Sequence, residues 1–329
     1  MSPEARERDF AFNIVITPDT FTYLRPFTRS LLAESDVRFR LVANGCPARE
    51  VRALEAFASA EPRVTTLVLP NATMLTHGET LDAIYERCDD GDHFCFVDSD
   101  VMAKARFMPD FVAALSQFAV VTSCNPAWTD DVVLPAGARE LVGRHATGSD
   151  GFVYGSSFLA VYRRAAVARV RERFGVSFLG YAHTQLPARA RDRLVEMGRS
   201  FELYDTAKAL NILLQSEGFA VRYADNPALV HIGGISQYLS DPSTRAMPPS
   251  RAGAPRSDAP VPSFAASGAG RERWDFARWA AATLAGLVDG RDVPDLPEPL
   301  RDDPRAVAVQ RDLVMLVGRF GDTAEPATS

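Results

Sequence analysis

Lysine is almost absent from this sequence. Of its 36 basic residues only Lys104 and Lys208 are lysine, which leaves 34 arginines. That bias is typical of a GC-rich genome, and it indicates no function. Basic charge is also in short supply, because 42 acidic residues give a net charge of −6 and a pI near 5.5. The balance argues against a nucleic-acid partner, since binding a polyanion usually needs a basic face.

Long apolar runs are missing as well. No stretch approaches the roughly 20 apolar residues that a membrane-spanning helix needs. Residues 1–10 carry charges but lack the apolar segment of a signal peptide. We therefore expect no integral membrane segment and a cytoplasmic protein, and a homo-oligomer is compatible with this composition.

Cysteine is scarce and scattered. Cys46, Cys88, Cys95 and Cys124 are the four cysteines, and no two of them form a C-x-x-C pair. The spacing argues against a disulfide framework and against a cysteine-based zinc site. We expect reduced, mostly buried thiols that pack as small apolar residues.

Short β-branched apolar runs alternate with longer helical patterns from residue 11 to about 125. This alternation is typical of βαβ units around a mainly parallel sheet. With 329 residues and 47% hydrophobic content, the chain can bury a full core. We predict a doubly wound α/β fold. The predicted strands are 11–17, 37–44, 63–69, 93–98 and 118–124, and the predicted helices between them are 21–34, 47–60, 76–88 and 107–116.

The second half of the chain has a looser pattern. An amphipathic run with a glycine at its end predicts a helix that stops at Gly218. The predicted elements are a strand with a glycine turn at 151–161, an arginine-rich helix at 163–173, the amphipathic helix at 201–218, and a strand, turn and strand at 219–234.

A change of composition marks a domain boundary near residue 240. Residues 241–270 are rich in Pro, Ser, Ala and Gly without periodicity, which predicts a linker or flap. We predict a catalytic domain over 1–240 and a helical C-terminal appendage over 271–329. It contains two helical patterns, 271–288 and 303–319, and the first carries an aromatic stripe, Trp274, Phe276 and Trp279, that we interpret as a packing face.

The strongest chemical signal is FVDSD, an apolar strand that ends in Asp98 and Asp100. Residues two apart on an extended chain point to the same side, so both carboxylates can face one ligand while Ser99 faces away. Mg²⁺ and Mn²⁺ prefer such oxygen ligands, with substrate phosphates completing the shell. We predict a metal site here. The alternative is a plain turn after a buried strand.

In this order along the chain the motifs resemble the GT-A glycosyltransferases, particularly glycosyltransferase family 2, over residues 11–240. FVDSD is similar to the family's DxD motif, and the second strand departs from the family by ending in Ala43-Asn44 instead of an acidic pair. The other matching segments are NIVITPDT (13–20), RLVANG (40–45), HG (77–78), GSS (155–157) with LAVYRR, ELYD (202–205) and ALVHIGG (228–234).

The resemblance implies a GT-A fold, which is Rossmann-like, and transfer of a sugar from a nucleotide diphosphate sugar to a hydroxyl acceptor. It also implies Mg²⁺ or Mn²⁺ as cofactor, with His231 joining Asp98 and Asp100 as a metal ligand or contacting the diphosphate. We expect a small-molecule or glycoside acceptor. The residues assigned to nucleotide-sugar binding are Thr17, Pro18, Asp19, Asn44, His77, Gly78, Asp98, Ser99, Gly155 and Ser156. For several of these, turn chemistry or a structural bulge is the alternative.

An inverting transfer needs a carboxylate that takes the proton of the acceptor hydroxyl. Asp205 is the first candidate because it matches the family's base position near the predicted start of a helix. Glu202 is the second candidate. Either acid could instead cap the helix.

Three other functions stay open. A retaining transferase of the same fold would carry the same DSD sequence and late histidine. A sugar nucleotidyltransferase normally has an early glycine-rich loop with a basic residue, which residues 17–25 do not supply. A non-catalytic module that binds nucleotide sugars could keep the metal site.

Overall fold

The computed structural model describes residues 7–71, 73–129, 133–239 and 268–321. A seven-stranded sheet forms its centre, in the order β13-β6-β10-β4-β1-β2-β3. The strands of the structure are β1 (Ala11–Ile16), β2 (Arg38–Ala43), β3 (Val64–Val68), β4 (His93–Val97), β5 (Val101–Ala103), β6 (Val120–Ser123), β7 (Glu140–Leu141), β8 (Ala146–Thr147), β9 (Val153–Tyr154), β10 (Leu159–Arg163), β11 (Tyr181–Ala182), β12 (Leu203–Tyr204), β13 (Val221–Tyr223) and β14 (Leu229–His231).

Most neighbouring strands of the central sheet are parallel. Four of its six strand pairs are parallel, and only β10 runs antiparallel to both of its neighbours, β4 and β6. The prediction of a doubly wound, mainly parallel sheet is confirmed. Because β1, β2 and β4 are parallel, the loops that follow them meet at one edge of the sheet.

Helices flank the sheet close to where the sequence predicts them. The third helix begins with a capping box, in which Thr76 and Glu79 bond each other's backbone N–H groups. The helices are α1 (Phe21–Ala33), α2 (Ala48–Ala60), α3 (His77–Arg87), α4 (Met108–Leu115), α5 (Arg164–Phe174), α6 (Ala188–Glu196), α7 (Lys208–Ser216), α8 (Ser236–Leu239), α9 (Gly268–Asp289) and α10 (Pro304–Phe320).

After its first residue, His93, strand β4 is apolar because both faces of the sheet are covered. Phe94 and Phe96 pack into one core cluster, whereas Cys95 and Val97 pack into a second cluster on the other face. Side chains of a strand alternate between the two faces, so both sets are buried. The strand therefore holds the residue that follows it, Asp98, at a rigid edge.

The predicted helix over 201–218 is wrong in its first third. Residues 203–204 form the short strand β12, which pairs with β7 and β11, and the helix begins only at Lys208. Ala207 has φ of 62°, in the left-handed region, so the helix cannot continue back through it. The predicted stop at Gly218 agrees with its φ of 80°.

The C-terminal helices α9 and α10 share a core with the rest of the chain. Phe276 and Trp279 are buried in a cluster that includes Leu24 and Phe27 of α1. The aromatic stripe is therefore a packing face at these two positions. Most of the predicted linker, 241–270, lies outside the described residues, and the domain boundaries stay predictions.

None of the helices in the described parts of the chain combines the length and the apolar character that crossing a bilayer requires. The cytoplasmic location stays a prediction.

Candidate metal and nucleotide-sugar site

Two strands bring the candidate metal ligands together. Asp98 and Asp100 lie in the short turn between β4 and β5, and β5 pairs antiparallel with β14. In that register His231, the last residue of β14, lies opposite Val101. Residues separated by more than 130 positions in the sequence therefore meet at the carboxyl end of the central strand.

The three side chains form one compact cluster. His231 Nε2 lies 3.1 Å from Asp100 Oδ1 and 3.7 Å from Asp98 Oδ2. One ligand atom of each residue lies within 4.8 Å of the others. Asp100 and His231 are buried, whereas the Asp98 side chain is 24% exposed and provides the side open to a ligand.

Two contacts away from the aspartates orient the ring of His231. Its Nδ1 lies 2.9 Å from the carbonyl oxygen of Cys124, and the ring packs against Phe158 at 4.7 Å. A backbone carbonyl can only accept a hydrogen bond, so Nδ1 carries a proton and Nε2 is the ring nitrogen that faces the aspartates. Nε2 is buried without a hydrogen-bond partner. This donor set, two carboxylates and one oriented imidazole, fits a divalent cation.

The charges of the cluster shift one another's titration. Burial, together with the negative charges of Asp100 and Asp205, raises the pKa of Asp98 to about 8 against the opposing effect of His231. Burial acts to raise the pKa of Asp100 as well, but the charge of His231 lowers it. The Ile235 N–H, 3.3 Å from Asp100 Oδ2, acts in the same direction. Burial acts to lower the pKa of His231, but the charges of Asp100 and Asp98 raise it, so a cation would also displace a proton from Nε2.

His77 lies on the other side of Asp98. Its Nε2 is 3.8 Å from Asp98 Oδ1, and its ring meets Phe96 edge to face. Burial lowers the pKa of His77 to about 4, so the ring is neutral near pH 7. The neighbouring Gly78 serves packing, because a Cβ there would lie 2.7 Å from the Phe178 carbonyl oxygen. Ser99 is half-buried between the two aspartates.

Asp205 lies near the cluster but not on a helix. It follows β12 and precedes α7, so the predicted helical setting is wrong. Its negative charge reaches Asp98, and its Oδ1 accepts the Thr206 N–H at 2.7 Å. The second candidate base, Glu202, is in a different environment: its side chain is 58% exposed and pairs with Arg139.

The loop after β1 contains Thr17, Pro18 and Asp19, as predicted for a nucleotide-contacting segment. Asp19 has φ of 63° and pairs with Arg49 at 2.5 Å. The buried carboxylate of Glu50 holds this loop, accepting the N–H groups of residues 19, 20 and 21 at 2.7–2.9 Å. Sequence analysis missed Glu50, because an acid in the first turn of a helix gives no sign that it caps a neighbouring helix.

The Asn44 side chain braces a loop. Its Nδ2 donates to the Leu75 carbonyl and its Oδ1 accepts the Leu75 N–H, each at 2.9 Å. Asn71 also donates to Oδ1, and Asn44 is only 1% exposed. Both polar atoms of the Asn44 side chain are therefore buried and already bonded. The structure does not support the predicted hydrogen bond from Asn44 to a nucleoside.

Gly155 and Ser156 also form part of the frame. Ser156 is fully buried, its N–H bonds Thr122 and its hydroxyl donates to the Ser123 carbonyl. A Cβ on Gly155 would meet Thr122 at 2.9 Å. The alternative interpretation of these residues, a structural bulge, fits the structure better than a sugar-binding wall. Lys208, whose amine bonds the Gly155 carbonyl, is a further residue that the sequence did not single out.

No protein-family model matches the chain, and no curated protein matches it. Three solved structures show what its fold resembles. The chain is similar to the mannosyltransferase PcManGT from Pyrobaculum calidifontis in complex with GDP-Man and Mn²⁺, at 11% identity and a TM-score of 0.43, over 97% of this chain and 77% of that one. The galactosyltransferase LgtC, with donor and acceptor sugar analogues, gives 14% identity and a TM-score of 0.42, over 89% and 99%.

S. aureus TarS in complex with UDP gives 15% identity and a TM-score of 0.37, over 65% of this chain and 60% of that one. The first two structures are glycosyltransferases, the class of protein that the sequence motifs resemble. With TM-scores below 0.5, these similarities carry no argument about activity, which depends on the residues around Asp98.

Proposed function

We propose that this chain is a metal-dependent glycosyltransferase that transfers a sugar, with inversion, from a nucleotide diphosphate sugar to a hydroxyl of a small-molecule or glycoside acceptor. The observation that carries the proposal is the cluster of Asp98, Asp100 and His231, whose ligand atoms lie within 4.8 Å of one another. It occurs where ligand loops of a doubly wound sheet converge.

The two carboxylates and the His231 Nε2 atom would hold Mg²⁺ or Mn²⁺. A bound divalent cation neutralises the charge that develops on a departing diphosphate. The chain contributes rigidity, because β4 fixes Asp98, the Ile235 N–H fixes Asp100 and the Cys124 carbonyl fixes His231. Fixed ligands need no reorganisation when substrate binds.

Residues around the cluster would bind the donor. His77 can offer a neutral imidazole next to Asp98, and it opens helix α3, whose N-terminal dipole favours a phosphate. The Glu50-braced loop of Thr17, Pro18 and Asp19 would line the base and ribose. Its bracing keeps the loop in one conformation before the nucleotide arrives.

Asp205 would act as the general base that accepts the proton of the attacking hydroxyl. One of its oxygens is engaged by Thr206. The other, Oδ2, is then the atom for proton transfer to the carboxylate. The negative charge of Asp205 also reaches Asp98, as expected of a base that shares a cleft with the metal ligands.

A thermal-shift panel of UDP, GDP, dTDP and CDP, each with and without Mn²⁺, tests the proposal. One nucleotide should stabilise the protein only when Mn²⁺ is present, by about 2.7 kcal/mol at 100 times its Kd. Asp100→Asn should lose this shift, whereas Asp110→Asn, an exposed acid of α4, should keep it. A wild-type protein that no nucleotide stabilises with Mn²⁺ would contradict the proposal.

Catalysis is tested separately from binding. The wild type should hydrolyse the matching nucleotide sugar slowly without an acceptor, and Asp100→Asn should not. Donor binding without any hydrolysis or transfer would indicate a binding module. An NMR measurement of the product's anomeric configuration decides between inversion and retention.

A further inference from the structure

Lys208 is a cation in an unusually costly position. It is fully buried, and it is the first residue of α7, where the positive end of the helix dipole disfavours a positive charge. Its amine donates to the carbonyl oxygen of Arg144 at 2.7 Å and to that of Gly155. A buried ammonium persists only with such partners.

The two carbonyls belong to separate loops. Arg144 lies in the loop 142–145 between β7 and β8, and Gly155 in the loop 155–158 between β9 and β10. A third bond joins the same loops, from the Ser157 N–H to the Gly143 carbonyl at 2.9 Å. The amine of Lys208 thus bridges the two loops that flank the β8–β9 hairpin.

These loops form the wall against which the Asp205 carboxylate lies. A Cβ on Gly143 would be only 3.1 Å from Asp205 Oδ2 and 3.2 Å from the ring of Phe158. The carbonyl of Phe158 in turn accepts the Asp98 N–H at 2.7 Å. Movement of either loop would therefore shift the carboxylate of Asp205 relative to Asp98.

The backbone immediately before Lys208 has an unusual conformation. Ala207, immediately before it, has φ of 62°, which is unfavourable for a residue with a side chain. The Lys208 N–H bonds the Asp205 carbonyl at 3.0 Å, so the two residues belong to the same tight turn. Strain of this kind is kept where the surrounding structure fixes it, frequently at functional sites.

Stability alone does not account for the lysine. An apolar side chain of similar length, such as methionine, could fill the space without burying a charge, and such replacements are often neutral or stabilising. An arginine, the basic residue that this chain otherwise uses in 34 of 36 cases, has a planar guanidinium too wide to replace a compact amine between two carbonyls.

We propose that Lys208 is a positioning residue for Asp205: its amine holds the loops 142–145 and 155–158 together, and these loops fix the place of the Asp205 carboxylate relative to Asp98. This inference rests on the proposed role of Asp205 as base. Burial lowers the pKa of Lys208 to about 7, as expected of an amine held away from water.

The test compares Lys208→Met with Lys104→Met, which removes the only other lysine and its ion pair with Asp312. Lys208→Met should keep the Mn²⁺-dependent nucleotide shift, while kcat falls about 100-fold, the effect of misplacing a reacting group by about 1 Å. The KM for the nucleotide sugar should change little, because the amine bonds two loop carbonyls and not the candidate metal ligands. Lys104→Met should leave both kcat and KM unchanged.

Lys208→Gln provides a second variant that can still donate to a carbonyl but carries no charge. It should recover part of kcat, because its amide N–H can still bond a loop carbonyl. A Lys208→Met protein with the wild-type kcat would overturn the inference, and so would unfolding of both variants, since Lys208 would then serve the fold alone. If the proposed glycosyltransferase function were wrong, the result would differ, because the wild type itself would show no Mn²⁺-dependent thermal shift with any nucleotide.

Discussion

The Nδ1 atom of His231 lies 2.9 Å from the carbonyl oxygen of Cys124, and this contact decides which ring nitrogen faces the aspartates. Cys124 itself has φ of 67°, a left-handed conformation that is uncommon for a residue with a side chain. An unfavourable backbone conformation therefore lies beside the carbonyl that contacts His231. The result is a buried Nε2 atom that points at two carboxylates and has no hydrogen-bond partner.

Replacing this histidine should weaken metal binding more than it weakens the fold. We expect His231→Ala to lower the Mn²⁺ affinity by about 100-fold or more, since losing even an outer hydrogen-bonding partner of a ligand costs about 10–100-fold. Calorimetric titration with Mn²⁺ measures this. His93→Ala is the matched control, because His93 begins the strand that Asp98 follows and lies at its opposite end. Equal Mn²⁺ affinities in the two variants would contradict the assignment.

Asp205 and Glu202 should differ sharply as candidate bases. We expect Asp205→Asn to lower kcat by about 10²–10⁴-fold, the usual contribution of general-base catalysis, with nucleotide binding retained. Glu202→Gln should stay within about twofold of the wild type, because its side chain is exposed and paired with Arg139. Steady-state kinetics with the matching donor measure both. A larger loss in Glu202→Gln than in Asp205→Asn would reverse the assignment.

The grouping of Asp98 with Asp100 could be predicted because its signals are local. The DSD sequence follows an apolar strand, and the period of two in a strand puts both acids on one side. His231 was added by the order of motifs, and the β5–β14 register explains why that order brings it to the aspartates. The Cys124 carbonyl could not be predicted, because any residue supplies a backbone carbonyl and only the fold selects one.

Predictions that concerned loops were less successful for a physical reason. Asn44 was assigned to a nucleoside because it ends a strand at the ligand edge, but its amide binds Leu75 instead. Polar residues at strand ends serve turns as readily as ligands, and sequence alone does not separate the two. The misplaced start of α7 has a similar cause, since residues 203–204 pair with distant β7, which no local pattern reveals.

Glu50 should contribute strongly to the stability of the protein, because it holds the loop after β1. Its carboxylate accepts three backbone N–H groups at the start of α1, and hydrogen bonds to charged groups are worth about 1.5–3 kcal/mol each. We expect Glu50→Gln to lower the free energy of unfolding by about 2 kcal/mol, measured in urea, because one acceptor oxygen remains. Glu55→Gln, an exposed acid on the same helix, should change it by less than about 0.5 kcal/mol. Similar midpoints for both variants would show that Glu50 does not hold the loop.

Metal binding should depend steeply on pH. Burial and the charges of Asp100 and Asp205 raise the pKa of Asp98 to about 8, so near pH 7 the metal-free protein mostly holds a proton on Asp98. A cation needs the carboxylate and must displace that proton, so the Mn²⁺ affinity should rise with pH up to about 8 and then level off. The Asp98 proton alone gives a slope of about tenfold per pH unit, and the proton that the raised pKa of His231 keeps on the ring makes the slope steeper.

The raised pKa of Asp98 should also affect the stability of the metal-free protein. A carboxyl whose pKa is raised by folding binds a proton that the unfolded chain has released, so the contribution of Asp98 to the free energy of unfolding falls as pH rises between about 4 and 8. Asp98→Asn cannot titrate and should remove this contribution, making the metal-free variant gain stability relative to the wild type as pH rises. Urea unfolding at pH 5, 6.5 and 8 in the presence of a chelator measures the difference. A stability difference between the two proteins that stays constant across that range would show that Asp98 is already ionised without metal. Calorimetric titration with Mn²⁺ in buffers of different ionisation enthalpy gives an independent check. Mn²⁺ binding without proton release would lead to the same conclusion.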